Sequence, residues 1–240
     1  MRDPVLDSVN IPAWELPDRT YELPGKTELI EVADFGPAST VAVEWLNAHG
    51  RSARLAVAEF GTDRGSGRLW SPNPFLEECV VDLTPNTALD LGCGAGREAV
   101  FLASMGWTVS AVDLLPDALE RASRFAAHYP ELQGRISWET RDLELEFPDL
   151  QNLGLVSMLY FLDRSAVQKA KSHLRPGGSL VLETFTERHR ERFGKPQSLD
   201  RTLRTGELTD LAAGMEIHHL SEDWRANGRH TGRLWATSPV

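Results

Sequence analysis

Residues 88–100 read ALDLGCGAGREAV: an apolar run, then glycines at 92, 94 and 96, with an acid, Asp90, two residues before the first of them. Glycine turns that open a helix ordinarily cradle phosphates, and a carboxylate is a repulsive neighbour for a phosphate. Residues 94–99, GAGREA, do satisfy the G-x-G-x-x-G/A pattern of dinucleotide sites. Counted from the strand-end glycine, Gly92, however, the position that must pack tightly between helix and strand is Arg97, which is too large. Asp90 at a strand tip therefore favours a ligand bearing an ammonium group over a diphosphate. The plain alternative is a tight turn with no ligand at all.

A second acid points the same way. Asp113 closes the run VSAVD and lies 21 residues after Gly92, the spacing at which an acid accepts hydrogen bonds from ribose hydroxyls. Its other reading is a cap for the following helix. A nucleoside that also carries an amine meets both acids, and S-adenosylmethionine is such a ligand.

Outward from this turn, strand and helix patterns alternate. Asn73 and Pro74 suit the cap and first turn of a short helix through FLEECVV, and TALDL (87–91) is a strand. Then come a helix from about 97 to 105, a strand at 108–112, a helix from Pro116 to about His128, and strands at 135–140 and 155–161. A helix at 164–174, capped by Asp163, leads through the turn RPGG (175–178) into strand 179–185. GMEIHHL and GRLWATS read as two successive strands, which predicts an antiparallel pair at the sheet's end. The class is α/β, a doubly wound, mostly parallel sheet with its ligand beyond the carboxyl ends of the strands. Before it, strand 27–33, helix 37–50 and strand 54–60 make a small α/β segment, and GTDRGSGRLWSPNP (61–74) is a connection. A boundary near residue 67 gives domains 1–66 and 67–240.

LDLGCGAGRE, VDLLPDAL, WETRDLE and LRPGGSL, in that order, resemble the successive motifs of class I S-adenosylmethionine-dependent methyltransferases, from about residue 70 to the end. The resemblance implies a Rossmann-like, seven-stranded sheet whose last-but-one strand in space is antiparallel, with S-adenosylmethionine as cofactor. By position it assigns Asp90, Gly92, Gly94 and Gly96 to the methionine part, Asp113 to the ribose, and Asp142 with Leu143 to the adenine edge, with Cys93 and Leu114 also among the cofactor-binding positions. One departure is Gly154, where the family's fourth strand often begins with an acid. YFLDR (160–164), ETFTERHRERFGKP (183–196) and NGRHTGRLWAT (227–237) are similar to the TehB-like branch, named for tellurite resistance and thiol-type acceptors. That similarity implies a chalcogen oxyanion or thiol acceptor, with Arg225, Arg229 and His230 as its basic pocket.

The formal charge of −10 argues against a nucleic-acid partner, which demands a broad excess of Lys and Arg. Locally, Thr184 to Arg204 holds six Lys or Arg against three acids, which either draws an anion or forms a solvated helical face. Tyr160 and Trp70 are candidate walls for a sulfonium, and His189 and His230 are candidate bases; ordinary packing is the alternative for each. Cys79 and Cys93 make no disulfide framework and no metal spacing, so a reducing, cytoplasmic setting without metal is expected. No apolar run is long enough to predict a membrane span. Residues 11–58 resemble the second half of a rhodanese domain, the sulfur-transfer module, with Ala33 where a rhodanese carries its catalytic cysteine. The expected function is methyl transfer to a small-molecule acceptor. The alternative is a non-catalytic S-adenosylmethionine sensor whose rhodanese-like segment contacts a partner.

Overall fold

The computed structural model describes residues 8–56 and 68–240. Contacts divide the chain into Met1–Ser71 and Pro72–Val240, so the division follows Ser71, against an expected boundary near residue 67. In the first unit, parallel strands β1 (Leu29–Val32) and β2 (Ser52–Leu55) flank helix α1 (Pro37–Ala48). Leu16, Leu23, Ile30, Ala42 and Leu46 form its core. The helix stops as expected at Gly50: the Gly50 N–H donates to Asn47 O and the Arg51 N–H to Leu46 O, a paired closure that uses up the free carbonyls of the last turn. Residues 57–60 of the expected second strand, and 61–67 of the connection, lie outside the described residues.

The second unit contains α2 (Pro74–Val80), β3 (Thr87–Leu91), α3 (Arg97–Ser104), β4 (Thr108–Asp113), α4 (Pro116–Ala126), β5 (Ile136–Thr140) and β6 (Leu153–Leu159). It continues with α5 (Arg164–His173), β7 (Leu174–Phe185), α6 (Glu187–Phe193), α7 (Glu207–Leu211), β8 (Glu216–Trp224) and β9 (His230–Thr237). Seven strands pair in the order β5-β4-β3-β6-β7-β9-β8. All neighbours are parallel up to β7, and β9 runs antiparallel to both β7 and β8. The lone reversed strand is thus last but one in space. Every residue of β6 is buried, as in a strand covered on both faces, and this is why its sequence shows no alternation.

Two local expectations are corrected or explained. The predicted turn at 175–178 lies inside β7, whose register against β6 shifts between Leu153 and Leu155. Gly178 permits the irregularity, because a Cβ there would stand 2.6 Å from Leu153 O. Gly154 departs from the family pattern for a steric reason: a Cβ would meet Asn86 and Trp107 side-chain atoms at 3.2 Å.

Candidate functional site

The glycine turn joins β3 to α3 with all three glycines in the left-handed region, at φ 70°, 54° and 77° for Gly92, Gly94 and Gly96. Their demands differ. A Cβ at Gly92 would lie 2.6 Å from the Phe161 ring, and one at Gly96 would lie 2.6 Å from Trp138 and 2.8 Å from Ala122. These two are glycine because protein side chains press on them. At Gly94 a Cβ would meet nothing within 4 Å, so the approach to its backbone is open. The N–H groups of Gly92 and Cys93 both donate to Val112 O, which ties the turn to β4.

Three acids face this turn. Asp90 is 2% exposed; its Oδ1 accepts from Ser157 Oγ at 2.7 Å, while Oδ2 is buried without a partner. Burial above all, then the nearby Glu98 and Asp113, push its carboxyl up to about 7 against the opposing hydrogen bond from Ser157. Glu98, in the first turn of α3, is also pushed up by burial, and its Oε1 accepts the Asn73 N–H at 3.2 Å. Asp113 bridges: Oδ2 accepts from the Gly94 N–H at 2.8 Å and Oδ1 from the Leu115 N–H at 2.9 Å. The Arg141 N–H donates to Asp113 O, which brings half-buried Asp142 and buried Leu143 to the end of β4, whereas Leu114 is exposed. Cys93 is buried in the turn, and burial raises its thiol as it does that of Cys79.

A basic group gathers at the same carboxyl edge, where β6 and β7 end and β9 begins. Tyr160, directly after β6, sits at φ 55°, an uncommon conformation for a ring-bearing residue, and its N–H donates to Glu183 O at 2.7 Å. Exposed Arg229 lies with Cζ 4.9 Å from the Tyr160 ring centroid. Arg225 is folded back onto its hairpin, donating to Thr231 Oγ1, Thr231 O and Ser221 Oγ at 2.9, 3.0 and 3.1 Å. Its pKa is lowered by burial and then by the charge of Arg233. The two histidines are packed inward. His189 Nδ1 accepts the His230 N–H at 3.2 Å, and His230 Nδ1 lies 2.7 Å from Thr186 Oγ1. Burial lowers both pKa values, which keeps the rings neutral at pH 7.

Sequence reasoning missed a buried network beneath Tyr160. Glu183, 1% exposed within β7, accepts from Asn73 Nδ2 at 2.9 Å and Thr231 Oγ1 at 2.7 Å, and Arg233 Nε approaches it at 3.1 Å. The one signal was an acid inside the apolar run SLVLETF. Segment 184–204 returns to the sheet edge, as the Leu203 N–H donates to Phe185 O, but its cations are spread out. Arg201 pairs with Glu144, and Arg190 donates to Gln197 O. Trp70 falls in the first unit, under the guanidinium of Arg68 at 4.6 Å. Among the described residues no group of three or more His, Cys, Asp or Glu is placed to hold a metal, and no helix is long and apolar enough to cross a membrane.

Residues 88–178 match a family model described as a methyltransferase domain. The chain is 27% identical over 216 residues to a ubiquinone biosynthesis O-methyltransferase of Xanthomonas campestris, covering 75% of this chain and 87% of that one. Its fold resembles NodS, an N-methyltransferase of Bradyrhizobium japonicum solved with S-adenosyl-L-homocysteine, at a TM-score of 0.56 and 20% identity over 70% of this chain and 85% of that one. It also resembles TehB of Haemophilus influenzae, at 0.58 and 19% identity over 70% and 62%. This chain is an S-adenosylmethionine-dependent methyltransferase. The cofactor suits the cradle on chemical grounds. The unpartnered Asp90 Oδ2 lacks a donor that an ammonium supplies, and the open face of Gly94 admits a ligand where Gly92 and Gly96 are already covered. Acids thus face the glycine turn, and arginines gather where β9 begins.

Proposed function

We propose that the methyltransferase acts on a small acceptor, either a thiol or an anion, held at the carboxyl edge by Arg225, Arg229 and Tyr160. One observation carries this reading: exposed Arg229 lies over Tyr160 with Cζ 4.9 Å from the ring centroid, while Arg233 approaches buried Glu183 at 3.1 Å and Arg225 approaches Asp223 at 3.7 Å. A negative acceptor pairs with the guanidinium of Arg229. Asp90, Gly92, Cys93, Gly94 and Gly96 hold the methionine end of the cofactor, Asp113 with Leu114 the ribose, and Asp142 with Leu143 the adenine edge. When bound, S-adenosylmethionine supplies a methyl carbon already activated by its sulfonium. The protein's part is to align the acceptor with that carbon, and alignment alone supplies much of the acceleration. The neutral, inward-packed His189 and His230 shape the wall from behind; a thiolate or oxyanion needs no strong base. The name of the Xanthomonas relative, an O-methyltransferase, adds an oxygen acceptor to the chemistries worth assaying.

The first unit reads as a degenerate rhodanese-like segment, with Ala33 after β1 where a nucleophilic thiol would stand. Thiosulfate-to-cyanide sulfur transfer by the native chain would refute that assignment. For the methyltransferase, the test is incubation with methyl-labelled cofactor and a panel of thiols, phenols, selenite and tellurite, read by headspace and liquid mass spectrometry. Label on one of them is the expected result. Binding of S-adenosylhomocysteine without label on any acceptor would favour a cofactor sensor instead.

A further inference from the structure

A row of rings runs along the carboxyl edge beside Tyr160. Tyr160, Phe185, His189, Phe193, Trp224 and His230 touch in sequence, with ring centroids 5.3, 4.4, 4.7, 6.2 and 4.9 Å apart along the row. Tyr160, Phe193 and Trp224 are 37%, 49% and 44% exposed. Phe185 and the buried His189 link Tyr160 to the neighbouring exposed pair Phe193 and Trp224, so three exposed ring faces, where one alone is ordinary, flank this edge. Two exposed guanidiniums already lie on it: Arg229 over Tyr160 and Phe185 at 4.9 and 5.9 Å, and Arg192 over Trp224 and Phe193 at 4.9 and 5.4 Å.

The row starts at the cofactor turn. Tyr160 is fixed by its hydrogen bond to Glu183 O, and the next residue, Phe161, presses on Gly92. An acceptor reaching the methyl carbon from this side therefore passes along the rings. An inorganic oxyanion needs only the guanidiniums and gains nothing from flat apolar faces. A planar organic anion uses both, stacking on rings and guanidinium planes while its charge meets the arginines.

We propose that the acceptor is an organic anion with a planar, apolar body: its charged group sits on Arg229, at the hairpin that Arg225 braces, and its ring lies on the row from Tyr160 to Trp224. This rests on the methyltransferase reading above and narrows its acceptor class. The full-length protein, saturated with S-adenosylhomocysteine, is titrated calorimetrically with benzoate, acetate and selenite. Benzoate is expected to bind at least about tenfold more tightly than the other two. Phe193→Leu and Trp224→Leu, which keep bulk but remove a flat face, should each weaken benzoate by about fivefold and leave acetate within about twofold. Unchanged affinity for S-adenosylhomocysteine certifies that each variant is folded, and either one suffices. Benzoate binding no tighter than acetate, or absence of all anion binding, overturns the proposal and leaves the row as packing between α6 and the β8–β9 hairpin. Failure to bind S-adenosylhomocysteine at all would strike the methyltransferase reading instead.

Discussion

Asp90, proposed to hold the methionine end of the cofactor, is a buried carboxylate with one hydrogen bond, from Ser157. Its Oδ2 has no donor among the described residues, and burial keeps the carboxyl protonated to about pH 7 against an ordinary 3.8. The sign follows from proton linkage: the folded state binds more protons than the unfolded chain between those values, so stability falls as pH rises from about 4 to about 7. Asp90→Asn removes the buried charge. Its melting temperature should rise by several degrees at pH 8, a gain of about 2 kcal/mol, and hardly change at pH 4, while affinity for S-adenosylhomocysteine falls at least about a hundredfold. A lower melting temperature at pH 8 would show that Oδ2 has a partner after all. Cofactor binding by the native chain should also take up the ionised form, releasing close to one proton at pH 6 and almost none at pH 8.5; calorimetry in buffers of different ionisation heat reads this directly. The acid and its glycine turn were legible in the sequence because the turn is local. Its partner Ser157, 67 positions away, was not.

At the scale of elements, what the sequence revealed was again what is local. Asn73 caps α2 through the N–H groups of Phe75 and Leu76, and Asp163 caps α5 through that of Ala166, each within three residues. The bulge hidden in RPGG depends on β6, and the need for Gly154 depends on Asn86 and Trp107, so neither shows in a local pattern. Asn73 has a second duty that no capping rule predicts: it joins α2 to Glu183 of β7 and to Glu98 of α3. Asn73→Ser retains the cap and the backbone N–H to Glu98 and loses the amide donor to Glu183, which should cost about 1 kcal/mol in urea unfolding. Asn73→Asp also caps, but sets a carboxylate against buried Glu183 and should cost about 3 kcal/mol. Equal losses would reduce Asn73 to a simple cap. Gly154→Asp, which restores the family's usual acid, should destabilise by about 3 kcal/mol through its clash with Trp107; a neutral result would mean that β6 shifts to accommodate it.

The chain carries −10, and the run Thr184–Arg204, with its surplus of cations, was the obvious place to seek an anion site. Those side chains are taken up locally, by Glu144, by Gln197 O and by aromatic faces, while the β8–β9 hairpin, which the linear count did not single out, carries the Arg225 and Arg229 proposed to hold the acceptor. Arg190 and Arg229 therefore make a matched comparison, one cation from each stretch. Arg229→Gln should raise the acceptor KM by about tenfold, as expected for a lost charge-assisted contact of about 1.4 kcal/mol, with the S-adenosylmethionine KM unchanged. Arg190→Gln, which loses only bonds to a loop carbonyl, should leave both constants within about twofold and shift stability by less than about 1 kcal/mol. The reverse pattern, acceptor binding sensitive to Arg190 and indifferent to Arg229, would return the anion site to the 184–204 segment and remove the hairpin arginines from the acceptor edge.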